Sequence, residues 1–163
     1  MPDTSHPPVQ SDQVDVRGPR FAAWVTTAVL LGCLLTADVS APAAAALMAF
    51  QGLVFATGAA LGPRRHPYAV LFARLVAPRL APSTEREPIA PLRFAQLVGA
   101  AFAVVGVAGF TFAPTVGLIA TAGALMAAFL NAAFGICLGC QLYPLIVRLR
   151  VSGPAHFAVA PRS

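Results

Sequence analysis

Four stretches of the chain are apolar and nearly free of charge, and polar or helix-ending residues separate them. They run from roughly Phe21 to Ala37, Pro42 to Gly62, Phe94 to Ala113 and Val116 to Ile136. Each holds about 17 to 21 residues, which at a rise of 1.5 Å per residue crosses a hydrocarbon core of about 30 Å, marginally for the first. The connections Asp38 to Ala41 and Pro114 to Thr115 are too short for anything but a reversal, so the spans pair as two antiparallel hairpins. The pattern predicts an all-α membrane protein with four transmembrane helices.

The segment between the second and third spans carries a pattern of its own. Tyr68, Leu71, Phe72 and Leu75 share one helical face, with Arg74 off that face and Arg79 beyond Pro78. This suits a short amphipathic helix in the headgroup layer, its arginines on lipid phosphates. The proline-spaced remainder, with Glu85 and Glu87, reads as an exposed loop. Inside the spans, small residues recur every four positions: Gly52, Ala56 and Ala60 in the second, Ala120, Ala124, Ala128 and Ala132 in the fourth. Such ridges let helix backbones approach closely in lipid.

Composition agrees with this division. The chain has 163 residues, 58% of them hydrophobic and only 10% charged, against about 25% charged in a soluble domain. Residues 1–16 are polar and proline-bearing, and read as a disordered tail; 17–150 form the transmembrane domain and 151–163 a second short tail. The apolar run from Phe21 resembles a signal-peptide core, but a polar lead of about 20 residues favours an uncleaved anchor.

The net charge of +5 comes from eleven arginines with no lysine. They precede the first span (Arg17, Arg20), lie between the second and third (Arg64, Arg65, Arg74, Arg79, Arg86, Arg93) or follow the fourth (Arg148, Arg150, Arg162). Neither tight connection contains one. The positive-inside rule therefore puts both termini in the cytoplasm, as in a multi-pass protein of a bacterial inner membrane, and Asp38 outside. A nucleic-acid partner would want a basic face interleaved with aromatics on a soluble fold, and this pattern excludes it.

The chemistry-bearing residues gather at the end of the fourth span, in NAAFGICLGCQLYPL (131–145). Cys137 and Cys140 fall at its cytoplasmic boundary, where a lasting structural disulfide is not expected and a CxxC pair serves redox or metal chemistry. If the chain breaks at Gly135 and restarts, Cys137 lies near a helix N-terminus, whose free amides favour the thiolate. Pro144 withholds a donor from the carbonyl of Cys140. Three readings stand: thiol–disulfide exchange or sulfur relay with Cys137 attacking and Cys140 resolving, a metal site that would need His66 and His156 as further ligands, and simple packing. Gln141 stands where haem attachment would need a histidine. Cys33 is too deep to join the pair and reads as a packing residue. Asn131, Gln96 and Gln51 are intramembrane amides of the kind that join helices. Asn131 and Gln96 could also form a polar wall that orients the cysteines or a bound substrate, with Arg93 beside them. No intramembrane carboxylate or lysine suggests a proton-driven pump, and no cofactor motif appears.

The segments VDVRGPRFAA, PLRFAQLVGAAFAVVG and AAFLNAAFGICLGCQLYPL resemble the bacterial membrane family labelled domain of unknown function 4395, over roughly residues 13 to 149. The most specific parts are RFAQ at Arg93 to Gln96 and GICLGCQLY at Gly135 to Tyr143. The family has no established activity and supplies no catalytic residues. Its association with thioredoxin-like and sulfurtransferase-like proteins implies a thiol-redox or sulfur setting, with a soluble thioredoxin-like or rhodanese-like partner. The alternative is a non-enzymatic scaffold or small-solute permeation protein whose cysteine pair is structural or metal-binding. Small-residue ridges also leave room for homo-oligomerisation.

Overall fold

The computed structural model describes residues 13–81 and 83–151. The remainder of both tails, His156 with them, lies outside the described residues. In chain order the elements are β1 (Gln13–Asp15), α1 (Arg17–Ala37), α2 (Ala41–Leu61), α3 (Pro67–Leu75), β2 (Arg86–Pro88), α4 (Ile89–Phe112), α5 (Pro114–Phe134) and α6 (Leu138–Val151). Short 3-10 turns occupy Pro63–Arg65 and Ala77–Arg79.

The helices α1, α2, α4 and α5 are long and apolar enough to cross a membrane, with 21, 21, 24 and 21 residues. Each of α1 and α4 packs against both α2 and α5, which closes a four-membered antiparallel ring made of the two expected hairpins. The helix starts precede the apolar runs: α1 begins at Arg17 and α4 at Ile89. Hydropathy marks only the lipid-embedded part, whereas arginine is a good helix former and prolongs the helix toward water. The starts of α2 and α5 follow from Pro42 and Pro114 in their first turns, where a missing N–H costs nothing.

Close backbone approach sets the ring's geometry. A Cβ on Gly109 would fall 2.6 Å from Cα of Gly117, so the α4–α5 hairpin turns through Ala113 alone only because both positions lack a side chain. The core collects Leu30, Cys33, Ala44, Met48, Phe55, Ala103, Phe110 and Ala124. Cys33 is fully buried there and donates its Sγ hydrogen to the carbonyl of Ala44 at 3.2 Å, the packing role expected of it. The alanine ridge of α5 faces inward, with Ala120, Ala124 and Ala132 buried. The ridge expected on α2 does not: Ala56 and Ala60 are exposed, and the seam instead runs through Ala44, Met48, Gln51, Phe55 and Gly58. Around the outside, Leu35, Leu53, Val104, Phe112 and Ile119 are each more than two-thirds exposed. Apolar exposure on that scale suits lipid and not water.

Two connecting regions depart from expectation. The end of the polar lead is ordered: Gln13, Val14 and Asp15 pair antiparallel with Pro88, Glu87 and Arg86, which turns part of the expected exposed loop into a strand. Arg17 closes this corner on Asp15 at 2.8 Å, and that hydrogen bond holds the Asp15 carboxyl below its ordinary range. The helix α3 forms where expected, but its four apolar residues divide. Tyr68 and Phe72 are buried against the bundle, Phe72 stacking on Phe21 at 5.6 Å, while Leu71 and Leu75 are exposed. The reason is polar. Tyr68 Oη donates to Oε1 of Gln51 at 3.0 Å, and Gln51 Nε2 donates to Oγ1 of Thr26 at 3.3 Å. An amide buried at the middle of α2 thus finds partners on α1 and α3, and draws α3 onto the protein.

Candidate functional site

The helix α5 ends where the cysteine motif begins. Gly135 adopts φ +70°, a left-handed conformation in which its N–H returns to the carbonyl of Asn131 at 3.0 Å and the N–H of Ile136 to that of Leu130 at 3.2 Å. These bonds close the helix in the manner of a Schellman end. The positive φ favours glycine there, and the guanidinium of Arg20 lies over the space where a Cβ would stand.

The chain restarts three residues later as α6, and Cys137 stands just before it. The Cys140 N–H donates to Cys137 Sγ at 3.2 Å, and the Gln141 N–H donates to the Cys137 carbonyl at 3.1 Å. Cys137 therefore caps α6 with its sulfur, and the conditional break at Gly135 is realised. The two sulfurs are joined as a disulfide, with Cα atoms 5.2 Å apart, and both residues are half-buried. Pro144 lies inside α6, so no i+4 amide serves the carbonyl of Cys140.

The helix α6 turns away from α5 and lies along the first turns of α4. A Cβ on Gly139 would stand 2.6 Å from Cα of Ala95, and Tyr143 packs on Phe94 at 6.0 Å between ring centres. This helix was not legible in the sequence as a separate element. Its only signals were the glycine at 135 and an apolar periodicity that Pro144 interrupts.

Between α6 and the ring lies a cavity of about 320 Å³. Cys137, Leu138 and Leu142 line one end; Thr26, Phe102, Gly123 and Ala124 line the other. Gln96 and Asn131, expected to form a polar wall behind the cysteines, share the cavity with Cys137. Cys140 is adjacent but does not line it. Arg93 does not line it either: its guanidinium donates to the carbonyls of Ala59 and Ala60 at 2.9 and 3.0 Å, where it satisfies the end of α2.

His66, considered above only as a metal ligand, is a further residue of this wall. The chain doubles back after Gly62, and His66 returns to lie against Gly58, whose missing side chain makes the room. The residue is 2% exposed, and among the described residues neither ring nitrogen nor Oε1 of the adjoining Gln96 makes a well-formed hydrogen bond. Burial holds the imidazole down to about 4, although Gln96 works in the other direction. At neutral pH the ring is therefore uncharged, with one donor and one acceptor nitrogen. In β2, burial raises the Glu87 carboxyl above its ordinary range while Arg20 opposes this. Among the described residues no group of three His, Cys, Asp or Glu could hold a metal ion.

No curated protein and no solved structure matches the chain. The family described as Domain of unknown function (DUF4395) matches residues 14–148, a range that runs from within β1 into α6 and holds both cysteines of the pair, and the chain belongs to that family.

Proposed function

We propose that Cys137 and Cys140 form a working dithiol–disulfide couple at the cytoplasmic boundary of the membrane, exchanging electrons or sulfane sulfur with a soluble thioredoxin-like or sulfurtransferase-like protein. One observation carries the reading. The pair sits at the broken junction of two helices, where the Cys140 amide points at the Cys137 sulfur. An amide donor and a helix start both favour the thiolate, and the Arg20 guanidinium over Gly135 adds positive charge at the same place.

In the forward exchange, the Cys137 thiolate attacks one sulfur of a partner disulfide, a mixed disulfide forms and the partner's second thiolate leaves. The Cys140 thiolate then attacks Cys137 Sγ, the intermolecular bond breaks and the partner departs as a dithiol. Two electrons have moved from the pair to the partner. The same steps in reverse take electrons from a partner dithiol. With a persulfide partner, Cys137 takes the outer sulfur atom and the partner's thiolate leaves.

The orientation comes from the arginine distribution. Alkylation of native membranes followed by mass measurement tests the function. The pair should shift between dithiol and disulfide when challenged with an oxidised or reduced thioredoxin-like protein, and a fixed state under both challenges refutes it. Replacing both cysteines by serine should abolish the exchange while the helices remain folded.

A further inference from the structure

We infer that the cavity behind Cys137 is a binding site for a membrane quinone, and that the quinone takes the electrons of the Cys137–Cys140 dithiol. This rests on the redox reading above and supplies it with an acceptor.

The cavity is graded along its length. Asn131 and Gly123 both line it and stand eight positions apart on α5, which corresponds to about 12 Å along the helix. At the Asn131 end are the amide of Gln96, the imidazole of His66 and the sulfur-bearing Cys137; at the other are Phe102, Gly123 and Ala124. A ligand that fits carries polar atoms at one end and hydrocarbon at the other. Phe102 also borders a second, wholly apolar groove with Ala101, Val105, Val116, Ile119 and Ala120, which continues the hydrocarbon surface along α4 and α5. In the proposed complex an isoprenoid tail leaves the cavity past Phe102 and lies along that groove.

The polar end specifies what kind of head it holds. Among the described residues no arginine, lysine or carboxylate lines the cavity, so a fatty acid or phosphate would enter without a counter-charge from them. A neutral head is selected. Among the described residues, both ring nitrogens of His66 and Oε1 of Gln96 are buried without a well-formed hydrogen bond, although the two side chains adjoin. Groups so placed are normally satisfied, and each orphan costs free energy unless a ligand completes it. A neutral imidazole offers an N–H to a quinone carbonyl, while its other nitrogen and the Gln96 oxygen accept from a quinol hydroxyl. The wall thus suits both redox forms of one molecule. At 320 Å³ the space lies at the lower end of the range for small-molecule sites.

The chemistry balances without another reactant. The Cys137 thiol gives up its proton and the thiolate bonds to a ring carbon of the quinone; the displaced electron pair goes to a ring oxygen, which takes up that proton. The Cys140 sulfur then attacks Cys137 Sγ, the Sγ–Sγ bond forms and the carbon–sulfur bond breaks. The ring keeps that pair and takes the second proton from the Cys140 thiol. Dithiol and quinone have become disulfide and quinol. Flow then runs from a soluble partner dithiol, through the pair, to the membrane pool.

The test uses the full chain in lipid nanodiscs, reduced, desalted and kept anaerobic. A decyl-tailed dimethoxybenzoquinone is added, its absorbance is followed, and remaining thiols are trapped for mass measurement. A small soluble disulfide is tried on parallel samples. The expected result is one quinol per disulfide formed, with the quinone rate falling by about tenfold or more in Ala127→Leu, which fills the cavity. A comparable loss is expected in His66→Phe, which keeps the ring shape and removes the hydrogen bonds. Should one variant fail to fold, the other decides. Thiols that react with the soluble disulfide but not with the quinone, or a quinone rate indifferent to both substitutions, overturn this inference and leave the exchange reading standing. Thiols inert to both reagents overturn the exchange reading itself.

Discussion

Two glycine-to-alanine changes separate the positioning of the cysteines from the stability of the bundle. At Gly135 the backbone stands at φ +70°, and an L side chain there costs about 1–2 kcal/mol. The new Cβ meets Arg20, but at the far end of a flexible side chain that can swing aside. The penalty stays near that figure, and the chain has a way to escape it by continuing α5 as helix. Cys137 then ceases to cap α6, and its sulfur loses the Cys140 amide. A hydrogen bond to a charged group contributes about 1.5–3 kcal/mol, so alkylation of the reduced protein at neutral pH should slow by about tenfold or more. At Gly109 the obstacle is backbone, with Cα of Gly117 at 2.6 Å from the added carbon. Neither chain can yield without splaying the hairpin, and overpacking of this kind costs about 1–3 kcal/mol or more. Gly109→Ala should lower the unfolding temperature more than Gly135→Ala does, yet leave cysteine reactivity in the folded fraction unchanged. The assay is iodoacetamide labelling of reduced protein in detergent, quantified by mass, beside thermal unfolding of the same samples. Wild-type labelling rates in folded Gly135→Ala, or slowed labelling in Gly109→Ala, would refute the placement of the thiol at a helix start.

Further outcomes follow from single contacts. Tyr68→Phe removes the donor to Gln51 and leaves a buried amide oxygen unpaired, for an expected loss of about 1–3 kcal/mol in detergent unfolding; a neutral result would mean that α3 is not held through this bond. Arg93→Ala should cost about 1 kcal/mol through the uncapped carbonyls of Ala59 and Ala60; a loss of thiol exchange in a folded variant would return Arg93 to the site. His66 has its folded-state value pressed from 6.5 to about 4. The unfolded chain therefore binds the proton first as pH falls, and stability drops between about 6.5 and 4, by about 3 kcal/mol in all. Thermal unfolding across that window should show the slope in the wild type and a flatter profile in His66→Phe; equal slopes contradict the burial of an unpaired imidazole.

Legibility in the sequence followed the strength of each physical constraint. Lipid demands long apolar helices, so the four spans could be read to within a few residues, and their hairpin pairing followed from connections too short for any other path. The break at Gly135 was open to the sequence only as a condition, because a glycine beside an apolar run can equally well continue a helix in lipid. The β1–β2 pair was not: three-residue strands of mixed polarity, such as Gln13–Asp15, leave no period to detect. The helix α6 was hidden by Pro144, which usually ends a helix but here only leaves the Cys140 carbonyl unserved. The ridge on α2 misled because alanine at four-residue spacing carries little information in an alanine-rich chain. There the buried amide of Gln51 and the bulk of Phe55 decide which face turns inward. At the site, Gln96 and Asn131 stood out as intramembrane amides, while the cavity that unites them with Cys137 depends on His66 folding back against Gly58. No local pattern encodes that return.

The position of the cysteines and that of the arginines constrain each other in a way that one experiment can read. Arg17 and Arg20 open α1, Arg64 and Arg65 follow α2, Arg93 opens α4 and Arg148 lies in α6, all at the end of the ring opposite Asp38. The disulfide lies at that same end, because α5 runs toward it and Arg20 covers Gly135. Whichever face of the membrane takes the positive charge also takes the thiols. An impermeant maleimide applied to sealed, reduced cells should therefore leave Cys137 and Cys140 unlabelled until the membrane is opened. Labelling of intact cells would place the arginines that flank the spans on the outer face, against the bias that sets membrane topology. The soluble partner would then have to be sought outside the cytoplasm. The dithiol chemistry at the helix break would be unaffected, since it depends on the Gly135 turn and the Cys140 amide and not on the compartment they face.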